Sequence, residues 1–191
     1  MQTIKNYNSL WDVEIDRFLT LLKSNQIAFK YLRKYEVNFD TDKKLHMSCD
    51  CGGLIQYIVS QTNNEILQTI LDQQPNRSVP YFYIHYLIKL IESEKIPFEF
   101  CEPEKADKYQ MFVYMKGKTQ KNKHNYYHIG IITDALKCLD SRKIHFNMLH
   151  ADIHSGILVE PVTLDAQNKK IIYNDMTSNY EWCRFIRSKV Y

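Results

Sequence analysis

Ser48-Cys49-Asp50-Cys51-Gly52-Gly53-Leu54-Ile55-Gln56-Tyr57-Ile58-Val59 is the stretch on which the reading of this chain turns. Leu54, Ile55, Ile58 and Val59 fall at i, i+1, i+4 and i+5, the spacing of one buried helix face. Asp50 is a favoured N-cap type, so the helix is expected to begin at Cys51 and to run to about Ser60. A thiol in the first turn meets unpaired backbone N–H groups and the positive end of the helix dipole, and both favour thiolate. The expectation is therefore a nucleophilic sulfur with a pKa well below the free value of about 8.5. Gly52 and Gly53 each cost the helix roughly 0.5–1 kcal/mol relative to Ala. Close approach of a substrate carbonyl or of another backbone would account for them. The competing reading is a buried structural cysteine beside a glycine that tightens packing.

Outward from this helix the chain changes character. Residues 9–24 carry an amphipathic stripe of Trp11, Ile15, Phe18, Leu19 and Leu22, with Asn8 or Ser9 as N-cap. Between 26 and 46, Phe29, Tyr31, Leu32 and Tyr35 suggest a short helix before a charged loop at 40–44. Ile66, Leu67, Ile70 and Leu71 suggest another, and Pro80 opens an aromatic-rich helix over 81–94 that Pro97 closes. In that last segment Tyr81, Phe82, Tyr83, Tyr86 and Leu87 read as core. From 111 onward the pattern is that of strands, at 111–115, 126–133 and 144–151, with further candidates at 156–162, 171–174 and 181–189. The segment 116–125 is a basic loop; its lysines lack interleaved aromatics and read as a solvated turn rather than a nucleic-acid site. Helices first and strands later predict an α+β fold, a helical part packed on a central antiparallel sheet. One domain is expected over 1–191, with a helical segment at 1–45 and the site-bearing core at 46–191.

The totals bound the class. The chain has 191 residues, 45% of them hydrophobic, with 14 Tyr and 9 Phe but only 5 Gly and 5 Pro, which describes a folded domain with a core of its own. A net charge of +3 is too small to imply nucleic acid. Five cysteines (Cys49, Cys51, Cys101, Cys138, Cys183) are an odd number without framework spacing, so free thiols in a reducing compartment are expected. The opening residues have no apolar segment of signal-peptide type and no run is long enough to cross a bilayer, which points to a cytoplasmic protein, or to an exported or delivered one using a leaderless route.

A cysteine nucleophile needs a base, ordinarily His, oriented by a third polar group. Of seven histidines, His128 is singled out: it sits inside an apolar strand beside Gly130, where an unpartnered imidazole is costly to bury. His150 ends the next strand, and antiparallel pairing would bring it within reach of the His128 ring, fixing its tautomer. His46, Cys49 and Cys51 can be read as a metal cluster, but Cys-x-Cys lacks the usual spacing and no second knuckle follows, so no metal and no cofactor are expected. Cys49 reads as a packing residue.

In this order the motifs resemble the NlpC-type papain-like cysteine peptidases. Asp50-Cys51-Gly52-Gly53-Leu54-Ile55-Gln56-Tyr57 is similar to their nucleophile motif, His128-Ile129-Gly130-Ile131 to their His-Val-Gly-Ile strand, and Met148-Leu149-His150-Ala151 with Ser155-Gly156-Ile157-Leu158-Val159 to the strand and turn of the third member. Residues 110–114 stand where the family has a strand ending in aromatics, and the resemblance covers about 45–190. It implies a papain-like fold with Cys51 as nucleophile, His128 as base and acid, and His150 as orienting residue. Backbone N–H groups beside Cys51, in the Asp50–Gly52 turn, would meet the oxyanion. The chain departs from the family's pattern at Gly52, where Ser is usual, and ahead of the cysteine. There Val37-Asn38-Phe39-Asp40-Thr41-Asp42 replaces a Tyr and a Gly-Gly pair, leaving Tyr35 as the nearest substitute. The segments 61–108 and 134–147 are long by family habit.

What the resemblance implies is a bacterial thiol hydrolase that cuts an amide bond through a thioester, on a peptide-like substrate such as the γ-D-glutamyl bond of peptidoglycan stem peptides. Two rivals remain: acyl transfer, deamidation or thioester hydrolysis at the same site on another target, and a catalytically silent binding module of the same fold.

Overall fold

The helix expected at Cys51 is α2, Cys51–Thr62, and Asp50 caps it by accepting the Gly53 N–H on Oδ1 at 3.0 Å. The computed structural model describes residues 7–32, 35–73, 83–116, 126–140, 143–173 and 176–189. Every residue from Cys51 to Val59 is buried, so α2 is covered on all sides, as expected of a helix apolar nearly all round. Along one flank runs α1, Tyr7–Lys23, with Ile15 and Phe18 buried and the Phe18 and Tyr57 rings 5.6 Å apart. Arg17 ties the two helices: its guanidinium donates to both Glu14 carboxylate oxygens and to the Tyr57 hydroxyl.

The short helix expected in 26–46 is instead a three-stranded sheet. β1 (Ile27–Tyr31), β2 (Glu36–Phe39) and β3 (Leu45–Cys49) lie in the order β1-β3-β2, with β1 parallel and β2 antiparallel to β3. The reason is legible in β3, where buried Leu45, Met47 and Cys49 alternate with less buried His46 and Ser48, a period of 2. The charged loop is the hairpin turn, closed by Asp40 Oδ1 accepting the N–H groups of Asp42 and Lys44, with Lys43 at φ +60°. Among the described residues of 1–45, helix thus gives way to strands after Lys23, and those strands precede α2.

α3, Asn64–Asp72, is capped by the Asn63 side chain on the Ile66 N–H, and α4 spans Ile84–Glu92. Pro80 and residues 81–82 lie outside the described residues. Within the aromatic cluster Leu87 is buried, but Tyr83 is an exposed ring edge-on to Tyr86, not a core residue.

Nine strands make the main sheet: β4 (Phe98–Cys101), β5 (Met111–Lys116), β6 (Tyr126–Ile132), β7 (Lys137–Asp140), β8 (Lys143–Asp152), β9 (Gly156–Asp165), β10 (Lys170–Tyr173), β11 (Met176–Asn179) and β12 (Trp182–Ser188). Their order is β11-β10-β9-β8-β6-β5-β12-β4, antiparallel throughout, with β7 added on β8. The fold is α+β, helices against a large antiparallel sheet. Of the basic loop, 117–125 lies outside the described residues. One core joins Cys51, Leu54, Ile55 and Ile58 of α2 to Val113, Ile129, Ile131, Leu149 and Ala151. A second holds Phe112, Tyr114, Phe146, Met148, Val162, Leu164, Tyr173 and Phe185. Strand alternation puts the two on opposite faces of the sheet. The second closes because the sheet curls: Tyr173 on β10 hydrogen-bonds Tyr114 on β5, four strands away, a span of about 19 Å in a flat sheet.

Gly130 lets β6 and β8 meet. A Cβ there would lie 2.5 Å from Met148 Cγ and 2.8 Å from the Leu149 carbonyl oxygen. Met148 can turn away but the carbonyl cannot. Gly130→Ala is therefore expected to destabilise the fold by about 1–3 kcal/mol, read as a lowered urea midpoint, and Met148→Ala in the same chain should recover only part of it.

Candidate active site

The site begins where a ladder ends. β6 pairs with β5 along its whole length, but with β8 only through Ile131–Leu149 and Ile132–Met148. Ile132 donates its N–H to Gln110 on the β5 side, so by alternation the Ile129 N–H points to the β8 side, past the end of that ladder. There it meets the first turn of α2 and donates to the Cys51 sulfur. The N–H groups of Cys51 and Gly52, two of the unpaired donors of the helix start, also act on that sulfur.

His128 and His150, on the opposite side of the ladder's last rung, bridge the gap diagonally, His128 Nε2 to His150 Nδ1 at 2.8 Å. His150 Nε2 in turn lies 2.6 Å from Glu160 Oε1 on β9. Tyr173 stacks on His150 with ring centroids 5.7 Å apart and planes 20° apart, and Tyr114 packs on His128 at 5.4 Å. All four polar or nucleophilic groups are enclosed, with 2% of Cys51, 6% of His128, 3% of His150 and 7% of Glu160 exposed.

Burial governs the charges. It pushes the Cys51 thiol up to about 12, helped by the neighbouring Asp50 carboxylate and opposed by the N–H groups of Ile129, Gly52 and Cys51. The expectation of a thiol held well below 8.5 by the helix terminus is corrected: desolvation outweighs the dipole. His128 is held well below its ordinary value by burial, with like-charge repulsion from His150 and Lys116 adding to it. His150 is also lowered, chiefly by burial, against the pull of the Glu160 carboxylate. At neutral pH the resting pair is thus a thiol and a neutral imidazole. A neutral imidazole is the form able to accept a proton.

The structure joins His128 to His150 and sets Cys51 against β6 at Ile129. Tyr35 packs its ring near Gly53, while its hydroxyl hydrogen-bonds Ser60, seven residues and about 10 Å further along α2. Burial pushes that phenol up to about 12, and Tyr35 is a packing residue of the helix flank. Gly53 does not clear space for a substrate either. A Cβ there would lie 2.4 Å from Cys49 Cβ, so this glycine seats α2 on the end of β3. Asp50 serves as the helix cap. His46 lies on the face of β3 away from Cys49 and pairs with Asp40 at 2.9 Å. Among the described residues no three His, Cys, Asp or Glu side chains are grouped to hold a metal ion, and no helix is long and apolar enough to cross a membrane. Glu160, Tyr173 and Tyr114 were not singled out from the sequence. The available signal for Glu160 was a carboxylate at the same strand parity as Val162 and Leu164.

No protein-family model matches the chain, and neither a curated protein nor a solved structure does.

The lowered histidines set a pH dependence. Below the ordinary value of 6.5 the unfolded chain binds protons at His128 and His150 that the folded chain refuses, so stability present above that pH is lost as pH falls. Unfolding free energy from urea titrations is expected to fall between pH 6.5 and 5 by up to about 1.4 kcal/mol per pH unit for each ring. A His128→Asn chain should show a shallower slope.

Proposed function

We propose that the chain is a cysteine hydrolase of NlpC-type papain-like fold that cleaves an amide bond in a peptide-like substrate, the γ-D-glutamyl bond of peptidoglycan stem peptides in particular. The observation that carries this reading is the 2.8 Å contact between His128 and His150, in a chain whose Cys51 opens a capped helix, in the order the resemblance requires. In the reaction Cys51 attacks the carbonyl carbon as its S–H proton passes to His128. The carbonyl oxygen gains the negative charge and is met by backbone N–H groups of the α2 start. Collapse breaks the C–N bond, and His128 returns the proton to the leaving amine. Water then attacks the thioester, giving its proton to His128, and the acid leaves as the Cys51 thiol reforms. A sulfur only 2% exposed suits a slender, extended acyl group more than the surface of a folded protein.

One observation favours the silent-module reading: a thiol pushed up to about 12 is a poor nucleophile unless its proton is taken during attack. Turnover decides between them. Incubated with a muropeptide digest and followed by mass spectrometry, the native chain is expected to split stem peptides and to carry an acyl adduct on Cys51 that hydroxylamine removes. Cys51→Ala and His128→Ala should each lose at least about 10³-fold with folding intact, while His150→Ala keeps residual activity and Cys49→Ala cleaves normally. Absence of both cleavage and adduct would leave the binding module standing.

A further inference from the structure

We propose that Glu160 is a positioning residue that sets which nitrogen of His150, and through it of His128, carries the proton, leaving His128 Nδ1 bare for the Cys51 thiol. The inference rests on the hydrolase reading for its consequence but not for its geometry.

A carboxylate in a sheet interior is costly unless charge or hydrogen bonds meet it. Glu160 sits on β9 at the parity of buried Val162 and Leu164, directly opposite Met148 and diagonal to His150, and its Oε1 lies 2.6 Å from His150 Nε2. A carboxylate oxygen only accepts, so His150 Nε2 must hold a hydrogen. Because burial keeps that ring neutral, its Nδ1 then has none and accepts. The group opposite Nδ1 is His128 Nε2, at 2.8 Å, which must therefore donate. Neutral His128 carries its one hydrogen there, and its Nδ1 keeps a lone pair. One acceptor at the far end thus orders two rings in series. Tyr173, stacked on His150 and hydrogen-bonded to Tyr114, which packs on His128, limits the rotation of both rings, whose planes stand 84° apart. When His128 takes the thiol proton, its positive charge faces an oriented lone pair backed by a carboxylate. No atom of Glu160 needs to touch substrate.

The test reads the nitrogens directly. With the full chain labelled with ¹⁵N-histidine, long-range proton–nitrogen correlation spectra report the tautomer of each ring. His128→Asn and His150→Asn assign the signals. The native chain is expected to show the Nε2–H tautomer at both rings. Glu160→Gln, the same size but able to donate, is expected to shift one or both rings toward Nδ1–H and to lower stem-peptide turnover at least 100-fold. Glu160→Asp should restore the native tautomers. An Nδ1–H form at either ring of the native chain, or native tautomers persisting in Glu160→Gln, overturns the assignment. If Glu160→Gln does not fold, the native spectrum still decides. Native tautomers that respond to Glu160 in a chain without turnover would sustain this inference and sink the hydrolase reading; turnover with unresponsive tautomers would do the reverse.

Discussion

The first turn of α2 rests on a strand edge that its neighbour has let go. β8 leaves β6 after Ile131, which frees the Ile129 N–H, and the Cys51 sulfur satisfies it. A buried N–H without a partner would be expensive, so the strand edge and the helix start hold each other in place. Two glycines make the approach possible for ordinary steric reasons. Gly53 lets the helix sit on Cys49 at the end of β3, and Gly130 lets β6 press on Met148 and Leu149 where the ladder still runs. The divergence of the strands opens beyond Gly130, and the two imidazoles fill it.

That enclosure determines the chemistry of the sulfur. A helix start favours an anion by roughly 0.3–2 kcal/mol. The rise of the Cys51 thiol from 9.0 to about 12 corresponds to about 4 kcal/mol against the thiolate, after its backbone donors have acted. Burial therefore wins, and it wins over His128 in the opposite sense, keeping that ring uncharged. A neutral thiol and a neutral imidazole suit a dry site, since neither one buries a charge of its own. The carboxylate of Glu160 meets the Nε2 of His150, where the β9 backbone carries it.

The aromatic second core is what brings the far end close. Curling of the sheet carries β10 over β5, so that Tyr173 reaches both His150 and Tyr114. Phe112, Phe146 and Phe185 pack edge-on or tilted beneath them, with centroids 5.0–5.9 Å apart. Rings of this size leave the imidazoles little rotational freedom, which is what a relay of two hydrogen bonds needs.

The sequence by itself determined the Cys51 helix and its Asp50 cap, the strands bearing His128 and His150, and the α+β character. Each rests on a local pattern: a 3.6-residue period with a capping residue, or an apolar run bounded by polar residues. It misread 26–46 because Phe29 and Tyr31 of β1, with Tyr35 just ahead of β2, place apolar residues at spacings a helix also uses. Only the tertiary structure decided that Glu160 faces His150, that Tyr35 turns away from the site, and that the Cys51 thiol stays protonated. The reason is that cross-strand register, sheet curl and desolvation are set by every element packed around a residue, and no window of neighbouring sequence contains them.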